Sequence, residues 1–167
     1  LQFIPSLLPI GGAVWIDEPT YNEHRPAWEA AGHAVATGDT NFGNAQSAVI
    51  VAPNNPTGKF AADAIMATAK STAATGGIML IDGAFTMPRA ADPAAGDLLD
   101  ALAAFPHVVH LRSFGKFFGM AGLRLGFAIG APARIEQLQQ RVGPWAVSSV
   151  ALDIGSTALK DTAWQAQ

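Results

Sequence analysis

Val108-Val109-His110-Leu111-Arg112-Ser113-Phe114-Gly115-Lys116-Phe117-Phe118-Gly119-Met120-Ala121-Gly122-Leu123-Arg124-Leu125-Gly126-Phe127 is the stretch from which the fold can be read. It opens on apolar, β-branched residues that suit a buried strand. It then passes into a short, glycine-punctuated loop carrying Lys116, and Arg124 follows before a second apolar run, Leu125 to Ile129. A lysine amine becomes a nucleophile for carbonyl carbon when a fixed, desolvated pocket holds it. An arginine fork matches the geometry of a phosphate. Taken alone, the run also fits a structural loop with a solvated lysine.

The same strand grammar recurs on either side. Short apolar runs predict strands over Ala13–Ile16, Ala34–Thr37, Ala48–Ala52, Ile78–Asp82, Val108–Ser113 and Leu125–Ile129. Between them, alanine-rich stretches predict helices over Arg25–Ala31, Ala61–Ala74, Ala95–Ala104, Pro132–Arg141 and Ser148–Thr162. Gly76-Gly77 stops the second helix and Pro132 suits the first turn of the fourth. Consecutive apolar positions suit strands covered on both faces. Alternation of strand and helix implies a mainly parallel sheet, hence an α/β fold in three layers, α/β/α. The segment Arg89–Gly96 reads as the most loop-like part. In such sheets ligands gather at the carboxyl ends of the strands. Asp17-Glu18-Pro19-Thr20-Tyr21, Asn54-Asn55-Pro56-Thr57-Gly58, Asp82 and Ser113 to Lys116 all fall at such ends.

Composition narrows the alternatives. The chain has 167 residues, half of them hydrophobic, with net charge −3. Its isoelectric point is about 5.7 and its mean hydropathy +0.24. That is length for one domain and apolar content for a substantial core. The ten lysines and arginines are scattered, which argues against a nucleic-acid surface. No apolar run reaches the length of a membrane span, and the opening residues do not read as a signal peptide. Without cysteine there are no disulfides or thiolate metal sites. Neither end shows a start signal or a cap, so the sequence reads as a segment of a longer protein.

Four lysines are present: Lys59, Lys70, Lys116 and Lys160. Lys70 and Lys160 fall on predicted helices and Lys59 follows a turn glycine, so Lys116 alone follows a buried strand. A lysine that attacks an aldehyde, beside an arginine suited to phosphate, describes the binding chemistry of pyridoxal 5′-phosphate. Asp82 ends an apolar strand, where a lone carboxylate is costly. It is either a turn or helix cap, or the partner of a protonated pyridine nitrogen. Asn55 sits in a turn and is also an uncharged donor at a strand end. Tyr21, the one tyrosine, either packs or stacks on a ring. His24, His33, His107 and His110 lack metal-ligand spacing and read as core or surface residues. Neither a dinucleotide fingerprint nor a P-loop is present.

In their order and approximate spacing, Pro19-Thr20-Tyr21, Asn55-Pro56-Thr57-Gly58, Asp82-Gly83-Ala84-Phe85 and Ser113-x-x-Lys116 with Arg124 resemble the fold-type I pyridoxal-phosphate enzymes of the aspartate aminotransferase superfamily. Within it, Pro19-Thr20-Tyr21-Asn22-Glu23-His24 and the run around Lys116 are most similar to the histidinol-phosphate aminotransferase-like branch and its cobalamin-biosynthesis members, related to threonine-phosphate decarboxylase. The resemblance implies that Tyr21 stacks on the cofactor ring, that Asn55 bonds its ring oxygen and that Asp82 bonds its ring nitrogen. It implies that Lys116 forms the Schiff base and that Ser113 and Arg124 hold the phosphate. Lys116 and Asp82 are the expected catalytic pair. It further implies that residues 1–167 are most of the large domain, lacking an N-terminal arm and a C-terminal small domain. The whole would be a cytoplasmic homodimer acting on a small amino-acid substrate, with neither nucleic acid nor membrane as partner. Phe85 departs from the tyrosine many relatives carry, so Asn55 would serve the ring oxygen without it. The Asn55–Pro56 bond is expected to be cis.

Overall fold

A computed structural model describes residues 1–38, 45–86 and 93–166. It contains a 6-stranded sheet. The strands are β1 (Ala13–Ile16), β2 (Ala34–Thr37), β3 (Ser47–Val51), β4 (Met79–Asp82), β5 (Val108–Ser113) and β6 (Gly126–Gly130). They lie in the order β2-β1-β3-β4-β5-β6. β1 to β5 are parallel and β6 runs antiparallel to β5. The helices are α1 (His24–Ala30), α2 (Ala62–Ala73), α3 (Pro93–Leu102), α4 (Phe114–Phe117), α5 (Pro132–Val142), α6 (Ser149–Lys160) and α7 (Thr162–Gln165).

The strand pleat sorts the core into two halves. On one face Trp15, Ala48, Ile50, Met79, Ile81 and Val108 pack with Ile65 and Ala69 of α2 and Leu98 and Leu102 of α3. On the other, Val14, Ile16, Val49, Leu80 and Val109 pack with Trp28 of α1, Leu138 of α5, and Ile4 and Leu7 of an N-terminal 3-10 turn. The result is the expected three-layer α/β/α arrangement. β3 and β4 are buried along their whole length, which is why they read as unbroken apolar runs. β2 and β6, at the sheet edges, are largely exposed.

Strand order reverses at β1, which has β2 on one side and β3 on the other. Helix α1, leaving β1, packs on one face, and α2, leaving β3, packs on the opposite one. The two loops therefore part at their start and leave a crevice between them, the place where such sheets bind ligands. Register brings Val51 opposite Asp82, and Asp82 opposite Leu111, so the polar strand ends share one edge.

Two expectations are corrected. Lys116 is not in a loop, because Phe114–Phe117 form one turn of α-helix. Phe114 is buried and stacks on Phe118, centroids 4.2 Å apart, an i,i+4 contact that closes the turn. The loop-like segment Arg89–Gly96 is helical from Pro93 onward, within α3. Its remainder, residues 89–92, lies outside the described residues.

Candidate active site

At the carboxyl edge of the sheet a cleft of about 400 Å³ is lined by Tyr21, Asn55, Asp82, Ser113, Lys116 and Arg124. These are the six positions singled out from sequence, and they come from the ends of β1, β3, β4 and β5 and, for Arg124, from the turn leading into β6. Phe85, Arg112 and Gly115 are also part of the wall.

Asp82 lies at the base, buried. Its Oδ2 meets Nε2 of His24 at 2.9 Å, and its Oδ1 accepts the Ala84 backbone N–H at 3.0 Å. Burial by itself pushes this carboxyl up. The bond and charge of His24, the Ala84 N–H and the nearby His110 together outweigh it and hold the group below its ordinary value. Asp82 is thus kept as an anion facing the cleft. His24 is fully buried at the start of α1, its Nδ1 without a partner, and its ring meets Tyr21 edge-on with centroids 5.9 Å apart. Sequence reading placed His24 among the structural histidines and missed this role. The available signal was its position one helical turn after Tyr21, on the same face of a helix entry.

Asn54, overlooked beside Asn55, holds the loops together. Its side-chain NH₂ donates to the Pro19 carbonyl and to Thr57 Oγ1, both at 2.8 Å, and its Oδ1 accepts from Thr20 Oγ1 at 2.7 Å. The loop after β1, which carries Tyr21, is thereby tied to the loop after β3, which carries Asn55. Asn55 itself is exposed toward the cleft, and the Asn55–Pro56 peptide is cis, as expected.

Thr86 braces the floor. Its hydroxyl donates to the Ala52 carbonyl at 2.9 Å, its N–H to the Gly83 carbonyl at 3.0 Å, and its own carbonyl accepts from Arg112 Nη2 at 3.0 Å. Gly83 must be glycine here, because a Cβ would strike the His110 ring and Thr86 Oγ1. His110, under this turn, is pushed down to about 4 by burial first and by the charge of Arg112 second, against the opposing effect of Asp82.

Ser113 precedes α4, and its hydroxyl is not used to cap that helix. Arg124 has left-handed backbone geometry (φ 55, ψ 37) where the chain turns into β6. Such strain in a non-glycine residue is sustained by its surroundings and clusters at functional sites. Gly115 lets α4 lie against the turn before Arg124, since a Cβ there would sit 2.8 Å from Ala121 Cα. Lys116 is exposed in the cleft rather than desolvated, its Nζ 5.1 Å from the centroid of the Phe85 ring. Among the described residues no acidic or histidine cluster could hold a metal ion, and no helix is long and apolar enough to cross a membrane.

Chemically, the cleft offers a fixed anion at the base, an amine on a short helix, a hydroxyl and a guanidinium at the rim, and an aromatic ring on one wall. Residues 2–167 match the family model for aminotransferase class I and II. The chain is 38% identical to the threonine-phosphate decarboxylase of a Sinorhizobium species over 96% of its own length and 48% of the relative's. The corresponding Pseudomonas aeruginosa protein is 37% identical over 96% and 49%. A histidinol-phosphate aminotransferase of Oleidesulfovibrio alaskensis is 40% identical over 54% of this chain and 23% of its own. Among solved structures, the Clostridium acetobutylicum histidinol-phosphate aminotransferase superposes with TM-score 0.83 at 22% identity, over 98% of this chain and 52% of that one. The Porphyromonas gingivalis L-threonine-O-3-phosphate decarboxylase gives 0.81 at 20%, over 99% and 54%. A Sinorhizobium meliloti histidinol-phosphate aminotransferase, solved in complex with pyridoxal-5′-phosphate, gives 0.72 at 22%, over 98% and 48%. The chain spans about half the length of the threonine-phosphate decarboxylases it matches.

Proposed function

The chain belongs to the class I and II aminotransferase family, and from that premise we propose that it is the cofactor-binding large domain of a pyridoxal 5′-phosphate enzyme of the threonine-phosphate decarboxylase type, acting in cobalamin biosynthesis. The observation that carries this reading is the convergence of Tyr21, Asn55, Asp82, Ser113, Lys116 and Arg124 on one cleft.

The residues present fit the cofactor. Asp82, held as an anion by His24 and Ala84, suits a protonated ring nitrogen, a charge-assisted bond worth about 1.5–3 kcal/mol. Asn55 would donate to the ring oxygen and Tyr21 would cover the ring face. Ser113 and Arg124 would hold the phosphate, and Lys116 Nζ would bond the aldehyde carbon. When bound, the cofactor supplies an electron sink for the bond broken at the substrate Cα. Lys116, displaced by the substrate amine, would then return a proton at carbon as general acid. The complete enzyme would be a cytoplasmic homodimer acting on a small phosphorylated amino acid, with no nucleic-acid or membrane partner.

Decarboxylation is favoured because the similarity to threonine-phosphate decarboxylases runs over 96% of the chain. Transamination of a histidinol-phosphate-like substrate is the second reading, favoured by the 40% identity to a histidinol-phosphate aminotransferase over 54% of the chain. Both reactions start alike and part on which Cα bond is held perpendicular to the cofactor ring. Product analysis of the full-length enzyme with threonine phosphate separates them. Carbon dioxide and aminopropanol phosphate support decarboxylation. A keto acid, with glutamate formed from 2-oxoglutarate, supports the second reading.

A further inference from the structure

We propose that Phe85 is a positioning residue for Lys116, its ring holding the lysine ammonium in the cleft while Nζ carries its proton and releasing it when the proton leaves. The inference rests on the proposed role of Lys116. It adds a residue whose side chain, lacking any polar atom, has no other evident task at this position.

The geometry is specific. Phe85 is 43% exposed, while Gly83 and Thr86 of the same turn are buried. Yet the turn that carries it is fixed. Gly83 N–H donates to the Leu111 carbonyl at 2.9 Å, Ala84 N–H to Asp82, and Thr86 is bonded to Ala52, Gly83 and Arg112. These bonds hold the backbone at Gly83, Ala84 and Thr86, and the Phe85 ring between them lines the cleft. Lys116 is equally well based. It stands on α4, anchored by buried Phe114 and seated through Gly115 on Ala121. From these two fixed bases, Nζ lies 5.1 Å from the ring centroid, within the range of a cation–π contact.

The ring face carries negative quadrupole density and attracts an ammonium, not a neutral amine. The contact therefore depends on protonation. While charged, Nζ is drawn over Phe85 and its long stem is restrained. Once the proton passes to solvent in the open cleft, the attraction disappears and the nucleophilic nitrogen is free to reach a carbonyl carbon. The same restraint would act on the lysine after a substrate amine has displaced it, keeping its proton close to the reacting centre. Among the described residues, Phe85 is the side chain whose contact with Lys116 Nζ is a cation–π contact, and Arg124 donates to the Ala121 carbonyl.

The test is competitive acetylation of the cofactor-free, full-length protein at a fixed pH below the lysine range, with each lysine followed by mass spectrometry. Phe85→Leu keeps the bulk and removes the quadrupole. It should raise the labelling rate of Lys116 roughly two- to fivefold, while Lys70 and Lys160 stay unchanged as internal references. Phe85→Tyr restores the aromatic face and should return Lys116 to the wild-type rate. Equal labelling of Lys116 in wild type and Phe85→Leu overturns the proposal, as does a rise that Phe85→Tyr fails to reverse. The underlying site reading is checked separately with Lys116→Ala. If that variant still binds the cofactor covalently, the role of Lys116 fails whatever Phe85 does.

Discussion

Replacing His24 with leucine should be felt mainly through Asp82. The imidazole is fully buried and supplies one of the two hydrogen bonds to that carboxylate, at 2.9 Å. A hydrogen bond to a charged group contributes about 1.5–3 kcal/mol, and stripping the partner from a buried pair costs about 3–5 kcal/mol. Asp82 keeps the Ala84 N–H, and its side chain is 9% exposed, so the lower part of that span applies. The expected loss near pH 7 is about 2–3 kcal/mol. The pH dependence identifies the cause. In the wild type the Asp82 carboxyl is depressed, so its contribution is complete above the unfolded value of about 3.9 and is lost only as pH falls through the lower folded value. In His24→Leu burial prevails and the folded carboxyl is raised. The folded variant then takes up a proton more readily than the unfolded chain, and its penalty shrinks as pH falls toward about 4. Urea midpoints of the cofactor-free, full-length protein near pH 7 and near pH 4, at unchanged slope, measure both. A loss under about 0.5 kcal/mol near pH 7, or one equal at both pH values, refutes the coupling.

Asp82→Asn should leave the cofactor bound to Lys116 but lower turnover roughly 10- to 150-fold, the equivalent of the lost charge-assisted bond, as read by steady-state kinetics at saturating cofactor. Asn54→Ala removes the ties to Pro19, Thr20 and Thr57, and should weaken cofactor affinity while costing about 1–3 kcal/mol in urea unfolding. His110 is held neutral with a depressed value of about 4, so the unfolded chain binds a proton between that value and 6.5 when the folded one does not. Stability is therefore full above 6.5 and declines as pH falls, by up to roughly 3 kcal/mol, and His110→Leu should flatten that part of the profile.

The sheet was legible because burial leaves a direct trace. β3 and β4 are covered on both faces, and only unbroken apolar runs survive there. Polar residues stand out where they end apolar runs: Asn55 after β3, Asp82 at the end of β4, and Ser113 and Lys116 at the end of β5. The turn of helix under Lys116 was hidden because its cause is tertiary. Phe114 and Phe118 close it by stacking, while the glycines around it read as loop. His24 was hidden because its partner is distant in sequence, 58 positions on, and only folding brings the two together. Asn54 was masked by its neighbour, since either asparagine suits a turn and only the fold shows which one is spent on holding it. The exposure of Lys116 follows from its place at the rim of an open cleft, which a buried preceding strand does not predict.

The central claim is that Lys116 carries the cofactor. Incubating the full-length protein with pyridoxal 5′-phosphate, reducing with borohydride and mapping the adduct by mass spectrometry tests it directly. The account predicts a pyridoxyl label on Lys116. A label on Lys59 or Lys70, with Lys116 unmodified, contradicts it.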